Sequence, residues 1–411
     1  MWTTHPLARL DLEDYLLYLS AKALNLKILT SDRLLLKLTN RAISLEHYIQ
    51  QSHLNYSQNI SHQFFDLQAQ YYALQTEIEE KIDAVLVSAK FIMGPEVQAL
   101  ENALQNYTKA KHCITCANGT DALQIALMAI GIGPHDEVIT TPFTFVATAE
   151  TIVLLKAKPV FVDIEKTSFL IDAEKIEEKI TPQTKAIIPV SLYGQIADMD
   201  RINAIAQKYS EKYGHKIYVI EDAAQSFGAE YKGKKSCNTS EIATTSFFPT
   251  KPLGCYGDGG AVFTTCDNIA QKLRAIRIHG QSKRYCHTHI GVNSRLDTVQ
   301  AAILQVKLKY LDEEIKIRRH RAYEYYKQYQ NADIITPTEL PNRKHIYGQY
   351  TVRVNNRDQF REKLKAEGIP TAVHYPIPLH QQPAFVDRKA HCPIAEAASE
   401  QVVSLPMCLY S

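Results

Sequence analysis

The sequence predicts an α/β protein in which a large, mainly parallel sheet is followed by a smaller C-terminal α+β domain. From about residue 110, short apolar runs alternate with helical segments, a pattern typical of a parallel sheet covered by helices on both faces. From Arg295 to about Gln330, a charged stretch without Gly or Pro predicts a long connecting helix or helix pair. Further strand-like and helix-like segments follow it, which indicates the smaller domain.

The predicted strands of the large sheet follow one another in a simple order. Most apolar runs are separated by a helical segment, as parallel neighbours require: "HCITCA", "EVITT", "KPVFVDI", "TKAIIPV" and "KIYVI". Little chain separates "ATTSFF" from "GGAVFTT", so we expect an antiparallel pair there. Beyond Gln330, the small domain is predicted from "GQYTVRV", "RDQFREKLKAEG" and "TAVHYP". We predict the large domain over residues 64–310 and the small one over residues 311–411.

Residues 1–63 stand apart as an N-terminal extension that is rich in leucine and predicted to be helical. The stretch "LEDYLLYLSAKALNLKILTSDRLLLKL" resembles the last part of a PIN-type nuclease domain, but it is too short to carry that activity. The alternative is an appended helical segment without a catalytic role. The role of this extension is not predicted.

Charge and hydropathy exclude several classes of function. With a formal net charge of +2, the sequence lacks the excess of basic residues that is typical of proteins that bind nucleic acid or an anionic membrane. Apolar runs such as Ile125–Ile130 are too short to span a bilayer. The N-terminus lacks the basic, apolar and small residues that follow one another in a signal peptide, so a cytoplasmic location is expected. Cys113 and Cys116 form a CxxC, but on a strand they point to opposite faces, which predicts two packed thiols.

Candidate functional residues follow the predicted strands, because the carboxyl ends of parallel strands meet at one edge of the sheet. Asn118–Asp121 forms a small polar turn at the start of a helix, where free N–H groups can hold an anion such as phosphate. Asp222 follows the strand "KIYVI" by two positions and could pair with a cationic ring nitrogen. The alternative for both is simple capping of the following helix.

A third strand leads to "TSFFPTKPLGCYGDGGA", which contains Lys251. Lysine forms Schiff bases when its amine loses the proton in a desolvated setting. Ser246 adds a hydroxyl near the same edge, and Phe145 could offer a flat surface to a ring, although it could equally be a core aromatic. An anion cradle, a carboxylate, an aromatic face and a lysine together are what a pyridoxal phosphate site requires.

Several long motifs in this order resemble a known enzyme family. They are "TCANGTDAL", "IIPVSLYGQIADMD", "VIEDAAQSFGAEYKGK", "SFFPTKPLGCYGDGGA" and "HIGVNSRLDTVQAAIL". Over about residues 64–407 the chain resembles the DegT/DnrJ/EryC1/StrS sugar aminotransferases, which implies the aspartate-aminotransferase-like fold, fold-type I. The likeness is greatest to members that aminate a UDP-linked 3-oxo-uronic acid. It implies transfer of an amino group from L-glutamate to UDP-2-acetamido-2-deoxy-3-oxo-glucuronate, for O-antigen and lipopolysaccharide sugar synthesis.

The resemblance also implies roles for individual residues. Lys251 would hold pyridoxal phosphate covalently and move the proton, while Asp222 would pair with its ring nitrogen. The other cofactor contacts would be Gly119, Thr120, Phe145, Gln225, Ser246 and, in a homodimer with shared active sites, Asn293 from the other subunit. The substrate contacts would be Ala89, Phe91, Thr250, Arg295, His374 and Tyr375. The glycines from Gly254 to Gly260 would let backbone pass close to cofactor and sugar, and ping-pong kinetics are expected.

Three features depart from the family pattern, and several alternatives stay open. Ala89 and Phe91 stand where sugar-binding relatives often have Gly and Tyr. The extension has no counterpart, and "SLPMCLYS" ends the chain before an expected last helix. The alternatives are amination of a 4-keto-6-deoxy nucleotide sugar, and a regulatory or damaged paralogue. The dehydratase branch has His at the lysine position, so Lys251 argues against it, and no metal site is predicted.

Overall fold

The structure is a computed structural model that describes residues 63–410 except 386, 388 and 389. Contacts between Cα atoms divide the chain into residues 1–61 and residues 62–411, and the description below concerns the second unit. The predictions for the N-terminal extension therefore lie outside the described residues.

A seven-stranded sheet forms the centre of the large domain, in the order β1-β9-β8-β5-β4-β2-β3. Every strand runs in the same direction except β9, which is antiparallel to both of its neighbours. The predicted antiparallel pair is thus confirmed. The strands up to residue 264 are β1 (His112–Cys116), β2 (Glu137–Thr140), β3 (Lys158–Phe161), β4 (Thr184–Ile188), β5 (Tyr218–Asp222), β6 (Glu230–Tyr231), β7 (Lys234–Lys235), β8 (Ile242–Ser246) and β9 (Gly260–Thr264).

Helices cover both faces of this sheet, as the continuous apolar strands predict. On β4, Ile187 belongs to one buried cluster while Ala186 and Ile188 belong to another, because side chains alternate between faces. In the same way Cys113 and Cys116 are buried on opposite faces, and both thiols are free. The helices are α1 (Leu67–Ser88), α2 (Pro95–Thr108), α3 (Gly119–Ala129), α4 (Ala147–Leu154), α5 (Met199–Tyr213) and α6 (Asp267–Ile276).

A single long helix, α7 (Thr298–Tyr329), connects the large sheet to the C-terminal part of the chain. It confirms the helix predicted from the charged stretch without Gly or Pro. Its Ile303 and Val306 pack against Leu74 and Ile78 of α1. The predicted domain boundary between residues 310 and 311 falls inside this helix, and the domain limits stay a prediction.

The C-terminal segment combines short strands and helices, as predicted. A three-stranded sheet in the order β12-β14-β15 is antiparallel and packs its buried side chains with Leu364. Among the described residues, no helix is long and apolar enough to cross a membrane. The remaining elements are β10 (Gln281–Lys283), β11 (Cys286–His287), β12 (Ile334–Ile335), β13 (Arg343–Lys344), β14 (Tyr350–Val354), α8 (Arg357–Ala366), α9 (Pro393–Gln401) and β15 (Val402–Leu405).

Candidate active site

A cleft of about 460 Å³ lies at the carboxyl ends of the parallel strands. This is the edge of an α/β sheet where ligands are expected, because the strand order reverses there and the connecting loops diverge. Ten of the predicted site residues line it: Gly119, Thr120, Phe145, Asp222, Gln225, Ser246, Thr250, Lys251, His374 and Tyr375.

Lys251 reaches the cleft from the loop between β8 and β9. The ends of the loop are tied together, since the N–H of Phe247 donates to the carbonyl of Gly259 (2.7 Å) and the N–H of Cys255 donates to Phe247 (2.8 Å). Gly254 permits the turn, because a Cβ there would lie 2.3 Å from the carbonyl oxygen of Pro249. This close approach is to the chain itself, and the predicted approach of backbone to cofactor and sugar from Gly254 to Gly260 stays a prediction.

The Lys251 amine lies in a desolvated setting. Burial lowers its pKa from the usual lysine range, and the negative charge of Asp222 opposes this shift. Among the described residues, no side chain forms an ion pair with Lys251. A neutral amine is therefore accessible at lower pH than for an exposed lysine, and a neutral amine is the form that attacks a carbonyl carbon.

Asp222 ends β5 and turns its carboxylate towards the cleft. Its Oδ2 accepts a hydrogen bond from the Thr148 hydroxyl (2.9 Å), and its Oδ1 accepts one from the N–H of Ala224 (3.2 Å). Burial raises the pKa of Asp222, while these two hydrogen bonds and the charge of Lys251 act in the opposite direction. The group is well placed to meet a cation, which would favour its ionised form.

The neighbouring carboxylate, Glu221, points to the opposite face and has a different role. It is buried and accepts hydrogen bonds from the hydroxyls of Ser191, Ser236 and Thr239 and from the N–H of Cys237. Burial raises its pKa, and these donors oppose the shift. Glu221 thus fixes the segment around residues 236–239 and does not reach the cleft.

The start of α3 presents donors without acceptors. Asn118 caps the helix by accepting from the N–H of Asp121 (2.7 Å), so the cap is made by the first residue of the predicted turn. Among the described residues, no acceptor meets the N–H groups of Gly119 and Thr120. Ser246 packs directly on this turn, where a Cβ on Gly119 would lie 2.6 Å from the Cβ of Ser246. The arrangement suits a phosphate group.

Aromatic and amide groups form the other walls. Phe145 is 52% exposed, and its ring centroid lies 6.3 Å from that of Tyr375. The N–H of Tyr193 donates to Gln225 Oε1 (2.7 Å), which leaves the Gln225 amide nitrogen to donate to the Tyr375 hydroxyl (3.0 Å). Burial, followed by the charge of Lys251, lowers the pKa of His374 to about 4, so this imidazole is neutral near pH 7.

Four predicted residues lie away from this cleft in the described chain: Ala89, Phe91, Asn293 and Arg295. The segments that contain Phe91 and Arg295 nevertheless meet, because Ile92 pairs with Asp297 and the carbonyl of Phe91 accepts from the N–H of Thr298 (3.0 Å). The surface around them exposes Leu86, Val87, Phe91, Ile92 and Met93. Their predicted roles stay predictions.

Two hydroxyl residues of the cleft were not predicted from the sequence, and one of them contacts Asp222. Thr148 donates to Asp222, and the hydroxyl of Thr144 lies 3.3 Å from that of Thr148. A signal was present in "PFTFVATAE", where the two hydroxyls are four residues apart and would share one face of a helical turn. Nothing in the sequence indicated that this face meets the end of β5.

Comparisons with known proteins agree with this geometry. Residues 73–409 match the DegT/DnrJ/EryC1/StrS aminotransferase family. The chain is 56% identical over 348 residues to the UDP-2-acetamido-2-deoxy-3-oxo-D-glucuronate aminotransferase of Pseudomonas aeruginosa, which covers 85% of this chain and 95% of the relative.

Two solved structures share the fold. DesV of Streptomyces venezuelae, solved in complex with a ketimine intermediate, is 38% identical with a TM-score of 0.81 and covers 84% of this chain and 92% of its own. NtdA of Bacillus subtilis, solved with its bound cofactor PMP, is 32% identical with a TM-score of 0.74 and covers 81% of this chain and 77% of its own. The predicted fold of the aspartate-aminotransferase type is confirmed. The chain belongs to the DegT/DnrJ/EryC1/StrS aminotransferase family and is a pyridoxal-phosphate-dependent sugar aminotransferase.

Proposed function

We propose that this enzyme transfers the amino group of L-glutamate to C3 of UDP-2-acetamido-2-deoxy-3-oxo-D-glucuronate. The observation that carries this choice of sugar is the 56% identity, over nearly the whole of the relative, to an aminotransferase named for that substrate. Glutamate as the donor, O-antigen synthesis as the pathway and a cytoplasmic location stay predictions from the sequence.

The residues of the cleft fit pyridoxal phosphate. The free N–H groups at the start of α3 and the Ser246 hydroxyl suit its phosphate, and this hydroxyl has its proton free because its oxygen accepts from the N–H of Phe248 (3.2 Å). Asp222 suits the ring nitrogen, and the Gln225 amide suits the phenolic oxygen. The exposed face of Phe145 suits stacking on the ring.

The protein groups then have separate tasks. When bound, pyridoxal phosphate acts as the electron sink that makes the α-proton of the amino acid acidic. Asp222 keeps the ring nitrogen protonated, and the Lys251 amine takes and returns the proton at the reacting carbon. The lowered pKa of Lys251 favours the basic form of its amine that this transfer needs.

Gly119→Ala should weaken the binding of pyridoxal phosphate by about tenfold or more, which is the scale of one lost hydrogen bond to a charged group. The added Cβ would lie 2.6 Å from the Ser246 Cβ and must push the turn and the hydroxyl apart. The matched control is Gly133→Ala, where nothing lies within 4 Å of the new Cβ. Absorbance titration of the empty proteins measures the affinity. Equal affinity in the two variants would contradict the assignment of the phosphate to this turn.

We further propose a homodimer whose subunits complete each other's sites. The apolar surface of Leu86, Val87, Phe91, Ile92 and Met93 is exposed in the single chain and suits a partner subunit. Asn293 and Arg295 precede Asp297, whose backbone pairs with Ile92 of this surface, and among the described residues Arg295 has no ion-pair partner. A second copy would bring Arg295 to the cleft as a fork for a substrate carboxylate.

The experiment compares two sugars in wild type and in Arg295→Met, and it adds a 4-keto-6-deoxy nucleotide sugar for wild type. Wild type should prefer the UDP-linked 3-oxo-uronate to the same sugar without its carboxylate. Arg295→Met should lower kcat/KM for the uronate by about 10–100-fold and change the other sugar much less, since a hydrogen bond to a charged group contributes about 1.5–3 kcal/mol. Arg284→Met, on the exposed β10–β11 hairpin, is the control. Preference of wild type for a 4-keto-6-deoxy nucleotide sugar would overturn the proposed substrate.

A further inference from the structure

Two buried hydroxyl groups connect Asp222 to the segment that begins α4. Thr148 and Thr144 are only 1% and 3% exposed. The Thr148 hydroxyl lies 2.9 Å from Asp222 Oδ2, and the two threonine hydroxyls lie 3.3 Å apart. Thr148 is the second residue of the helix, while Thr144 precedes it and also lines the cleft.

The ionised state of Asp222 sets the direction of both hydrogen bonds. A carboxylate only accepts, so the single hydroxyl proton of Thr148 must go to Asp222. The oxygen of Thr148 is then free to accept, and Thr144 donates to it. Each hydroxyl therefore points its proton towards Asp222, and the two bonds polarise each other in a buried setting. A protonated Asp222 could itself donate to Thr148 and would no longer impose this alignment.

The other charged and titratable groups that face Asp222 do not replace these hydroxyls. Lys251, on the loop after β8, favours the ionised carboxyl, although burial lowers its own pKa. Tyr375 is partly buried and Cys237 is buried; loss of solvation raises the pKa of each, and the negative charge of Asp222 raises it further. Besides Thr148, the donor to Asp222 among the described residues is the N–H of Ala224, which contacts the other oxygen. Oδ2 thus depends on Thr148.

We propose that Thr148, supported by Thr144, is a positioning residue that keeps Asp222 ionised and oriented for the ring nitrogen of the cofactor. This inference rests on the proposed role of Asp222 in the site. Thr148 acts through the carboxylate and does not itself touch the reacting atoms. Without its hydroxyl, Oδ2 would lie buried without a donor, which favours the neutral acid.

The test uses three variants of the full chain. Thr148→Val keeps the shape but removes the hydroxyl, and Thr148→Ser restores it. The matched control is Thr151→Val, because Thr151 is equally buried on the same helix but donates only to the carbonyl of Ala147 (3.0 Å). Both variants replace a buried hydroxyl of α4 by a methyl group. An effect of that exchange alone should therefore appear in Thr151→Val as well.

Two spectroscopic readouts separate positioning from stability. With ¹⁵N-labelled pyridoxal phosphate bound, the ring-nitrogen resonance of wild type should report a protonated ring. Thr148→Val should move it towards the unprotonated position and weaken cofactor affinity by about tenfold, as expected for a lost hydrogen bond to a charged group. In the empty protein, the ¹³C carboxyl resonance of Asp222, assigned by its loss in Asp222→Asn, should titrate at higher pH in Thr148→Val. Thr148→Ser should return both signals towards wild type.

The outcomes distinguish this inference from the proposed function. If wild type fails to bind the cofactor, the proposed function falls, while the carboxyl titration of the empty protein still decides the role of Thr148. If wild type binds and Thr148→Val matches Thr151→Val in both readouts, Thr148 is only structural and the inference is overturned. A shift in Thr148→Val that Thr148→Ser does not reverse would overturn it as well.

Discussion

Lys251→Ala should abolish the visible absorbance of bound pyridoxal phosphate and lower transamination by at least about 10³-fold. The variant loses both the covalent link and the base, and proton transfer by a positioned side chain alone contributes about 10²–10⁴-fold. Absorbance spectra and the rate of 2-oxo acid formation from the amino donor measure the two losses. A small exogenous amine should restore part of the rate, because the cavity left by the side chain opens directly into the cleft.

The same variant checks folding through its pH dependence. Because burial lowers the pKa of Lys251, protonating its amine disfavours the folded state. The empty wild-type protein therefore gains stability as the pH rises from that lowered pKa to the usual lysine range. Lys251→Ala should lack this rise in stability. At pH values below the rise, the variant should unfold at a temperature similar to or higher than that of wild type. Inactivity that comes with a large loss of thermal stability would instead point to misfolding.

Mixing this variant with Arg295→Ala tests the shared site. If the partner supplies Arg295, a mixed dimer holds one cleft in which both residues are native, so about a quarter of wild-type activity returns when subunits exchange at random. No recovery, with subunit exchange shown independently, would mean that Arg295 does not serve the partner's cleft. The exposed apolar surface around Phe91 would then need another explanation.

The fold could be predicted from the sequence because its signals are local. The strands of the large sheet are short apolar runs separated mostly by helices, and the antiparallel β8–β9 pair follows from a connection too short to hold a crossover helix. The long helix α7 follows from a stretch without Gly or Pro. The positions of Lys251 and Asp222 at one edge of the sheet were predictable for a related reason, since Asp222 ends one strand and Lys251 lies in the loop after another.

Contacts between distant segments could not be predicted in the same way. The sequence places Glu221 beside Asp222, but only the alternation of β5 and the packing of residues 191 and 236–239 give the two acids different roles. Similarly, the sequence did not indicate that Gly254 permits a tight turn against Pro249. Thr148 meets Asp222 across 74 positions in the chain. Such pairs depend on the order of strands in the sheet, which no local pattern contains.

Asp222→Asn and Glu221→Gln should separate chemistry from stability at two adjacent positions. Asp222→Asn should lower kcat by about 10²–10³-fold, the usual cost of removing one preorganised electrostatic partner. An amide cannot stabilise a protonated ring nitrogen as a carboxylate does. Glu221→Gln should leave the cofactor spectrum and kcat near wild type, because Glu221 faces away from the cleft.

For the free energy of unfolding of the proteins without cofactor, the order should be reversed. Glu221→Gln should lower it, whereas Asp222→Asn should not. The pKa of Asp222 is raised by burial, so as the pH rises through the usual aspartate range the unfolded chain ionises first and the wild type loses stability. Asp222→Asn removes this loss and should be at least as stable as wild type near pH 7.

Glu221→Gln places an NH₂ group against hydroxyl or N–H donors and should lower the free energy of unfolding by about 1–3 kcal/mol. Thermal melts across pH, with kcat from the same preparations, measure both effects. If Asp222→Asn lost stability and Glu221→Gln lost activity instead, the assignment of the two carboxylates would be reversed.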